Sequence, residues 1–386
     1  MDAVRLYNLS PVLAILATGA AVAGLPLLWL WRRHRGVSAD VRLHLLTWAT
    51  VFLTFDLIVF GAFTRLTDSG LGCPDWPGCY GSASPLGAGA QIDAAQAAMP
   101  TGPVTWPKAW IEMIHRYLAT GVGALIVLLT WLSWKPAGRG PATDPPCFVR
   151  RPHPGWSIVA LLWVCLQGAF GAWTVTMKLF PAVVTLHLLG GVILLALLTA
   201  QAAQFRPRQP AAVVADVHPG TWRMPLAVVS IAVLTQIGLG GWVSTNYAVL
   251  ACDTFPLCQG SWWPAMNFSQ AFEWWRPLGH TASGELLSVP ALTAIHYVHR
   301  LGAYVVIPLL AWVALLLARD TKWRRLGQAL GVLTALQLAT GLGNVLLGWP
   351  LAAAVLHTAG AAGILALLVW AWFSNRSVHN RREAVV

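Results

Sequence analysis

Nine stretches of the chain run for about 20 residues or more with apolar side chains at most positions and almost no charge, the length needed to cross a bilayer as a helix. They cover residues 11–31, 45–64, 109–134, 156–177, 179–204, 225–245, 289–318, 327–347 and 350–373. The first is too long for a signal-peptide core and has no small-residue cleavage site, so it is kept as a span.

Composition sharpens this picture. Of 386 residues, 57% are hydrophobic and only 10% charged, whereas soluble domains are nearer a quarter charged. A soluble globular enzyme, a disordered chain and a nucleic-acid binder are therefore excluded, despite a formal charge of +11. Membrane lipid is the expected surrounding, and 22 tryptophans suit aromatic belts at its two interfaces. The basic residues are distributed unevenly: of 25 Lys and Arg, 18 fall in one set of loops and 5 in the other. Cytoplasmic loops collect such residues, which places the C-terminus in the cytoplasm and, with nine spans, the short N-terminus outside; the expected location is the plasma (inner) membrane of a bacterial cell.

The chain is also written twice. Gly61-Ala62-Phe63 followed by Cys73 and Cys79 recurs as Gly240-Gly241-Trp242 followed by Cys252 and Cys258, with both cysteines shifted by 179. Ile114-His115-Arg116 recurs as Val298-His299-Arg300 at a shift of 184, and Leu186-His187 recurs as Leu356-His357 at a shift of 170. Gln167 meets Gln337 at that last shift. Spans two to five and six to nine are thus two copies of one unit in parallel orientation. The expected fold is all-α and polytopic: two pseudosymmetric four-helix bundles plus one extra N-terminal transmembrane helix. Residues 1–40 hold the extra helix and a basic loop, 41–204 the first bundle, 205–224 a linker, 225–374 the second bundle and 375–386 a basic tail. Two outer loops are long. The first has an Ala/Gly-rich stretch, 81–96, with little to define its shape, and the second carries Trp262, Trp263, Trp274 and Trp275, suiting a loop on the bilayer surface.

Four histidines stand apart from the other seven. His187 lies six residues after Pro181, His357 seven after Pro350 and His115 five after Trp110. At 1.5 Å per residue each sits about 10 Å below the outer end of its span. Each half, counting His299, offers two imidazoles at matching depth, suited to the two axial positions of a haem iron. The plainer alternative is four polar core residues bonding neighbouring helices, and it explains less well a repeat that keeps the histidines while changing most of their neighbours. Zinc would need three or four converging ligands, and no HxxxH or HExxH pattern supplies them. His296, three residues before His299, is a supporting residue or simply a polar neighbour.

Arg116 and Arg300 follow the histidine of their half directly. An intramembrane charge needs a partner, and haem carboxylates at the outer edge would provide one; snorkelling to the interface is the alternative. Arg65 is a similar candidate. Glu112, three residues before His115, breaks the symmetry, because His296 stands in its place. In apolar surroundings such a carboxyl can give or take a proton; pairing with a nearby arginine is the plainer reading. This asymmetry makes the N-terminal half the reactive one. Asp56 is intramembrane with no evident partner. Cys73, Cys79, Cys252 and Cys258 lie on the oxidising side, where disulfides within each loop are the default and thiol exchange the alternative. Cys147 and Cys165 are expected to be free.

Together these segments resemble the heme A synthases of aerobic respiratory chains. The resemblance rests on Gly61 to Gly70 leading into Cys73 to Tyr80, on Glu112-Met113-Ile114-His115-Arg116, on Leu186-His187, on Ile295 to Arg300 and on Leu356-His357. It runs from about residue 45 to 373 and leaves out the first span. It implies oxidation of a peripheral methyl of haem O to a formyl group, giving haem A, by two hydroxylations and loss of water. His115 and His187 would bracket the substrate haem, with Glu112 beside it. His299 and His357 would hold a haem b relaying electrons from a donor, and a Cys73–Cys79 disulfide is implied. Two histidines on the substrate iron leave no place for oxygen, so either one leaves or the oxidant forms elsewhere. A haem O synthase or an oxidase assembly factor would be a fitting handover partner. A quinol-linked two-haem b-type electron-transfer cytochrome and a haem carrier are the alternatives.

Overall fold

A computed structural model describes residues 10–135, 149–207 and 222–375. Among the described residues, nine helices are long and apolar enough to cross a membrane: α1 (Ser10–Arg33), α2 (Ala39–Leu66), α4 (Trp106–Trp134), α5 (Gly155–Thr176), α6 (Pro181–Ala202), α7 (Arg223–Thr245), α9 (Val289–Arg319), α10 (Arg324–Leu346) and α11 (Leu351–Asn375). Two shorter helices, α3 (Gly89–Ala98) and α8 (Phe268–Ala271), belong to the cysteine loops. The protein is a multi-pass membrane protein. Cys147 lies outside the described residues, and Cys165 is free and exposed on α5.

The helices match the apolar runs, with the largest departure at the start of α2. It begins at Ala39, ahead of the apolar run, because Ser38 caps it by accepting from the Val41 amide. Its first turn carries Asp40, which pairs with Arg151, so charge there is compatible with helix. Inside α2 the hydroxyls of Thr47, Thr50 and Thr54 donate to carbonyls one turn back, which satisfies them where no water is available.

α2 and α5 each pack on both α4 and α6, and α7 and α10 each pack on both α9 and α11. Each repeat is therefore a four-helix ring in which the histidine-bearing helices, α4 with α6 and α9 with α11, are diagonal. The rings meet along α2–α11, α6–α7 and α6–α11. Exchanging the repeats turns the first of these contacts into the second, as a twofold relation requires. α1 stands outside both rings, against α4 and α2. At its crossing with α4, a Cβ on Gly19 would come 2.5 Å from Thr120, so only glycine allows the approach.

The helices that leave the cysteine-loop end all start at a proline: Pro107, Pro181 and Pro290 lie in the first turn of α4, α6 and α9, and Pro350 immediately precedes α11. Proline tolerates the first turn, where its missing N–H costs nothing. These four helices carry His115, His187, His299 and His357, six to nine residues further on. The prolines thereby place each imidazole about two to three turns into its helix.

One expectation changes. The stretch at 81–96 is shaped after all: a 3₁₀ turn at Pro85–Ala88 leads into α3, with Ala88 and Ile92 fully buried. Trp106 pins it by donating from its indole to Asp93 at 2.7 Å and from its amide to Gln96 at 3.0 Å. At the opposite end, the all-α chain includes one two-residue antiparallel ladder, β1 (Val149–Arg150) with β2 (Arg206–Pro207). The four loop tryptophans 262, 263, 274 and 275 are exposed.

Candidate functional site

Each of the four imidazoles lies against a glycine of a neighbouring helix. A Cβ built on Gly61 would stand 2.9 Å from Cε1 of His115, on Gly240 3.0 Å from that of His299, on Gly341 3.1 Å from that of His357, and on Gly171 3.5 Å from that of His187. Gly61 and Gly240 are repeat equivalents, as are Gly171 and Gly341. The rings of His115, His299 and His357 therefore occupy space that a methyl would crowd, while His187 lies at ordinary contact distance from its glycine. In each half the two rings are within electrostatic reach across the bundle. Phe60 adds a parallel face to His115, with centroids 6.3 Å apart.

The Nδ1 atoms differ between halves. His357 Nδ1 is 3.0 Å from the Thr340 hydroxyl, which donates to the Leu336 carbonyl at 2.8 Å. His299 Nδ1 is 3.0 Å from the Gln236 amide, which also donates to the His299 carbonyl at 2.8 Å. Nδ1 of His115 and of His187 is buried with no hydrogen-bond partner among the described residues.

Above the imidazoles, both loops are closed by a disulfide, Cys73–Cys79 and Cys252–Cys258, whose four cysteines are fully buried. A cis X-Pro bond occurs at equivalent places in each, Trp76-Pro77 and Phe255-Pro256. Arg116 donates to the carbonyls of Asp75, Pro77 and Gly78 at 3.0, 3.1 and 2.5 Å. Arg300 donates to those of Thr254, Leu257 and Cys252 at 2.8, 3.1 and 2.6 Å. Both guanidinium groups are thus engaged by main-chain acceptors of their own loop. The loop turns its own carbonyls inward, and these are the nearest acceptors for a buried cation. Arg65 is likewise occupied: it donates to the Ser244 carbonyl at 2.6 Å, pairs with Asp68 at 3.2 Å and lies over the Tyr247 ring.

Glu112 is buried but not in purely apolar surroundings. It accepts from Arg116 at 2.5 Å and from the Cys73 amide at 2.7 Å. Its counterpart His296 occupies the same junction, 3.3 Å from Arg300 Nε and 3.1 Å from the Ala248 carbonyl. Both residues are thus fasteners between the histidine helix and the loop. The i,i+4 spacing of Glu112 and Arg116 was the available signal for this pairing. Asp56 is exposed on α2, one turn from the exposed Phe52. Sequence reasoning missed Gln236, Thr340 and the role of the four glycines, because each matters only through a neighbouring helix.

Fold and site define a class: a polytopic membrane protein of two repeated four-helix units, each with two imidazoles on diagonal helices under a disulfide-closed loop. Residues 44–369 match the family model described as cytochrome oxidase assembly protein. The chain is 40% identical over 328 residues to the heme A synthase of Shewanella oneidensis, covering 84% of this chain and 94% of that one. It is 30% identical over 362 residues to the heme A synthase of Sinorhizobium medicae (88% and 92% covered) and 30% identical over 365 residues to that of Chelativorans sp. (87% and 92%). The chain belongs to the heme A synthase family. The family match begins beyond α1, in agreement with its place outside the rings.

Proposed function

We propose that the protein oxidises a peripheral methyl of haem O to the formyl of haem A, with haem O held between His115 and His187 and a haem b between His299 and His357. The observation that carries this reading is the four imidazoles, two on the diagonal helices of each ring, each set against a glycine of a neighbouring helix. Two opposed imidazoles suit the axial positions of haem iron, and a ring lying in space a methyl would fill leaves room for a flat macrocycle beside it. Bound haem b supplies one-electron redox chemistry. The protein's own groups do the rest: α4 and α6 orient the substrate, and the Cys73–Cys79 loop covers it and limits water. Glu112 and Arg116 lock that loop to α4, so Glu112 is a positioning residue one turn from His115.

The uneven Lys and Arg distribution supports an orientation with the cysteine loops outside, where disulfides persist, and the C-terminus in the cytoplasm of the bacterial inner membrane. An electron donor and a supplier of haem O complete the system, and a haem O synthase or an oxidase assembly factor fits the handover.

The test is haem extraction and chromatography from cells that make haem O and express this chain. Haem A is expected with wild type and absent with His115→Ala. Haem b without haem A from wild type would overturn the synthase reading in favour of an electron-transfer cytochrome.

A further inference from the structure

The two halves differ in how they support their histidines. In the repeat, Gln236 corresponds to Leu57 and Thr340 to Phe170. The exchange extends one layer further. A Cβ on Gly302 would stand 2.2 Å from Gln236 Oε1, so Gly302 makes room for that amide, and its counterpart is Leu118. Thus the C-terminal half has an amide, the space for it and a hydroxyl, where the N-terminal half has three apolar side chains.

The chemistry of the Thr340 contact is directional. Its hydroxyl hydrogen is committed to the Leu336 carbonyl, so its oxygen accepts from His357 Nδ1–H. That fixes the tautomer with Nε2 unprotonated and available to iron. Donation from Nδ1 also holds the ring's rotation and makes Nε2 a stronger ligand. The Gln236 amide nitrogen donates to His299 at two points, ring Nδ1 and main-chain carbonyl, so there Nδ1 is an acceptor and the contact does not supply the donation from Nδ1 that Thr340 receives. His115 and His187 have buried Nδ1 atoms without either support.

We propose that Thr340 is a positioning residue that makes the C-terminal haem a resident group, and that Phe170, by leaving His187 Nδ1 unsupported, makes the N-terminal haem exchangeable. This rests on the haem assignment proposed above. The fold is the same in both halves, and the residence time is set by what each imidazole's second nitrogen meets. A site whose haem must enter as substrate and leave as product needs weak ligand support; a relay site needs strong support.

The test uses purified full-length protein in detergent, with haem loss to excess apomyoglobin followed by absorbance and the midpoint potential of the retained haem measured alongside. Thr340→Val is expected to speed loss of the slowly released haem by about ten- to a hundredfold, the scale of outer-shell ligand effects, and to raise its potential. Thr340→Ser, which keeps the hydroxyl, is expected to behave as wild type, separating hydrogen bonding from packing. Phe170→Thr, placing a hydroxyl at the equivalent point, is expected to slow release from the N-terminal half. Wild-type loss and potential in Thr340→Val, with His357→Ala lacking that haem, would overturn the inference alone. Haem content unchanged in His357→Ala would overturn the haem assignment and the inference with it.

Discussion

Tyr247 donates a 2.6 Å hydrogen bond to Asp68, and the two residues are the same position in the two copies of the repeat, 179 apart. Arg65 and Ser244, joined at 2.6 Å, are another such pair. Equivalent residues touch only near the axis that relates their units, so this cluster marks where the pseudo-twofold axis passes through the cysteine-loop end. It joins the halves because the copies diverged here: Tyr meets Asp, and Arg65 meets the main-chain carbonyl of Ser244, where two identical charges would repel. Burial pushes the Tyr247 hydroxyl above its ordinary range, with Arg65 pulling it back, and the hydroxyl stays a donor at neutral pH.

A double-mutant cycle with Tyr247→Phe and Asp68→Ala is therefore expected to show a coupling of about 1 kcal/mol in unfolding free energy, ordinary for a partly exposed hydrogen bond. Additive effects in thermal or denaturant melts would contradict the contact.

The glycine seats give a graded prediction. Gly61→Ala and Gly240→Ala put a methyl at 2.9 and 3.0 Å from an imidazole carbon, too close without a shift of the ring. Each is expected to lower haem occupancy in its own half, read from absorbance and extracted haem. Gly171→Ala, at 3.5 Å, makes an ordinary contact and is expected to retain wild-type occupancy.

Removing Arg116 leaves three loop carbonyls and the Glu112 carboxylate without their partner. Loss of one member of a buried ion pair costs about 3–5 kcal/mol, so Arg116→Ala is expected to loosen the loop and expose the Cys73–Cys79 disulfide to thiol reductants. Mass-spectrometric labelling after brief reduction would show it. Glu112→Gln keeps an acceptor for the Cys73 amide and is expected to protect that disulfide better than Glu112→Ala.

Gly19 is the contact that seats α1. Gly19→Leu is expected to detach α1 from α4 and increase its proteolysis while leaving haem content unchanged, because α1 packs on neither histidine ring beyond its outer faces of α4 and α2.

The spans, the repeat and the four histidines were legible in the sequence because each is a one-dimensional signal: long apolar runs, a shift of 170 to 184, and a fixed distance from a helix start. The partners of the charged residues were less so. Arg116 and Arg300 are held by backbone carbonyls of a loop about 40 residues away or more, and backbone acceptors have no signature in residue identity. Order at 81–96 was missed because its helix buries few residues, chiefly Ala88 and Ile92, and so lacks a strong apolar period. Thr340 and Gln236 read as ordinary polar residues until the neighbouring helix places a histidine beside them.

The central claim, two haem sites with separate tasks, is tested most directly by identifying the haem that stays with purified His187→Ala and His357→Ala proteins from cells that make haem O. His187→Ala is expected to keep haem b while lacking haem O and haem A, and His357→Ala to lack haem b. Loss of haem b from His187→Ala, or its retention in His357→Ala, would contradict the assignment.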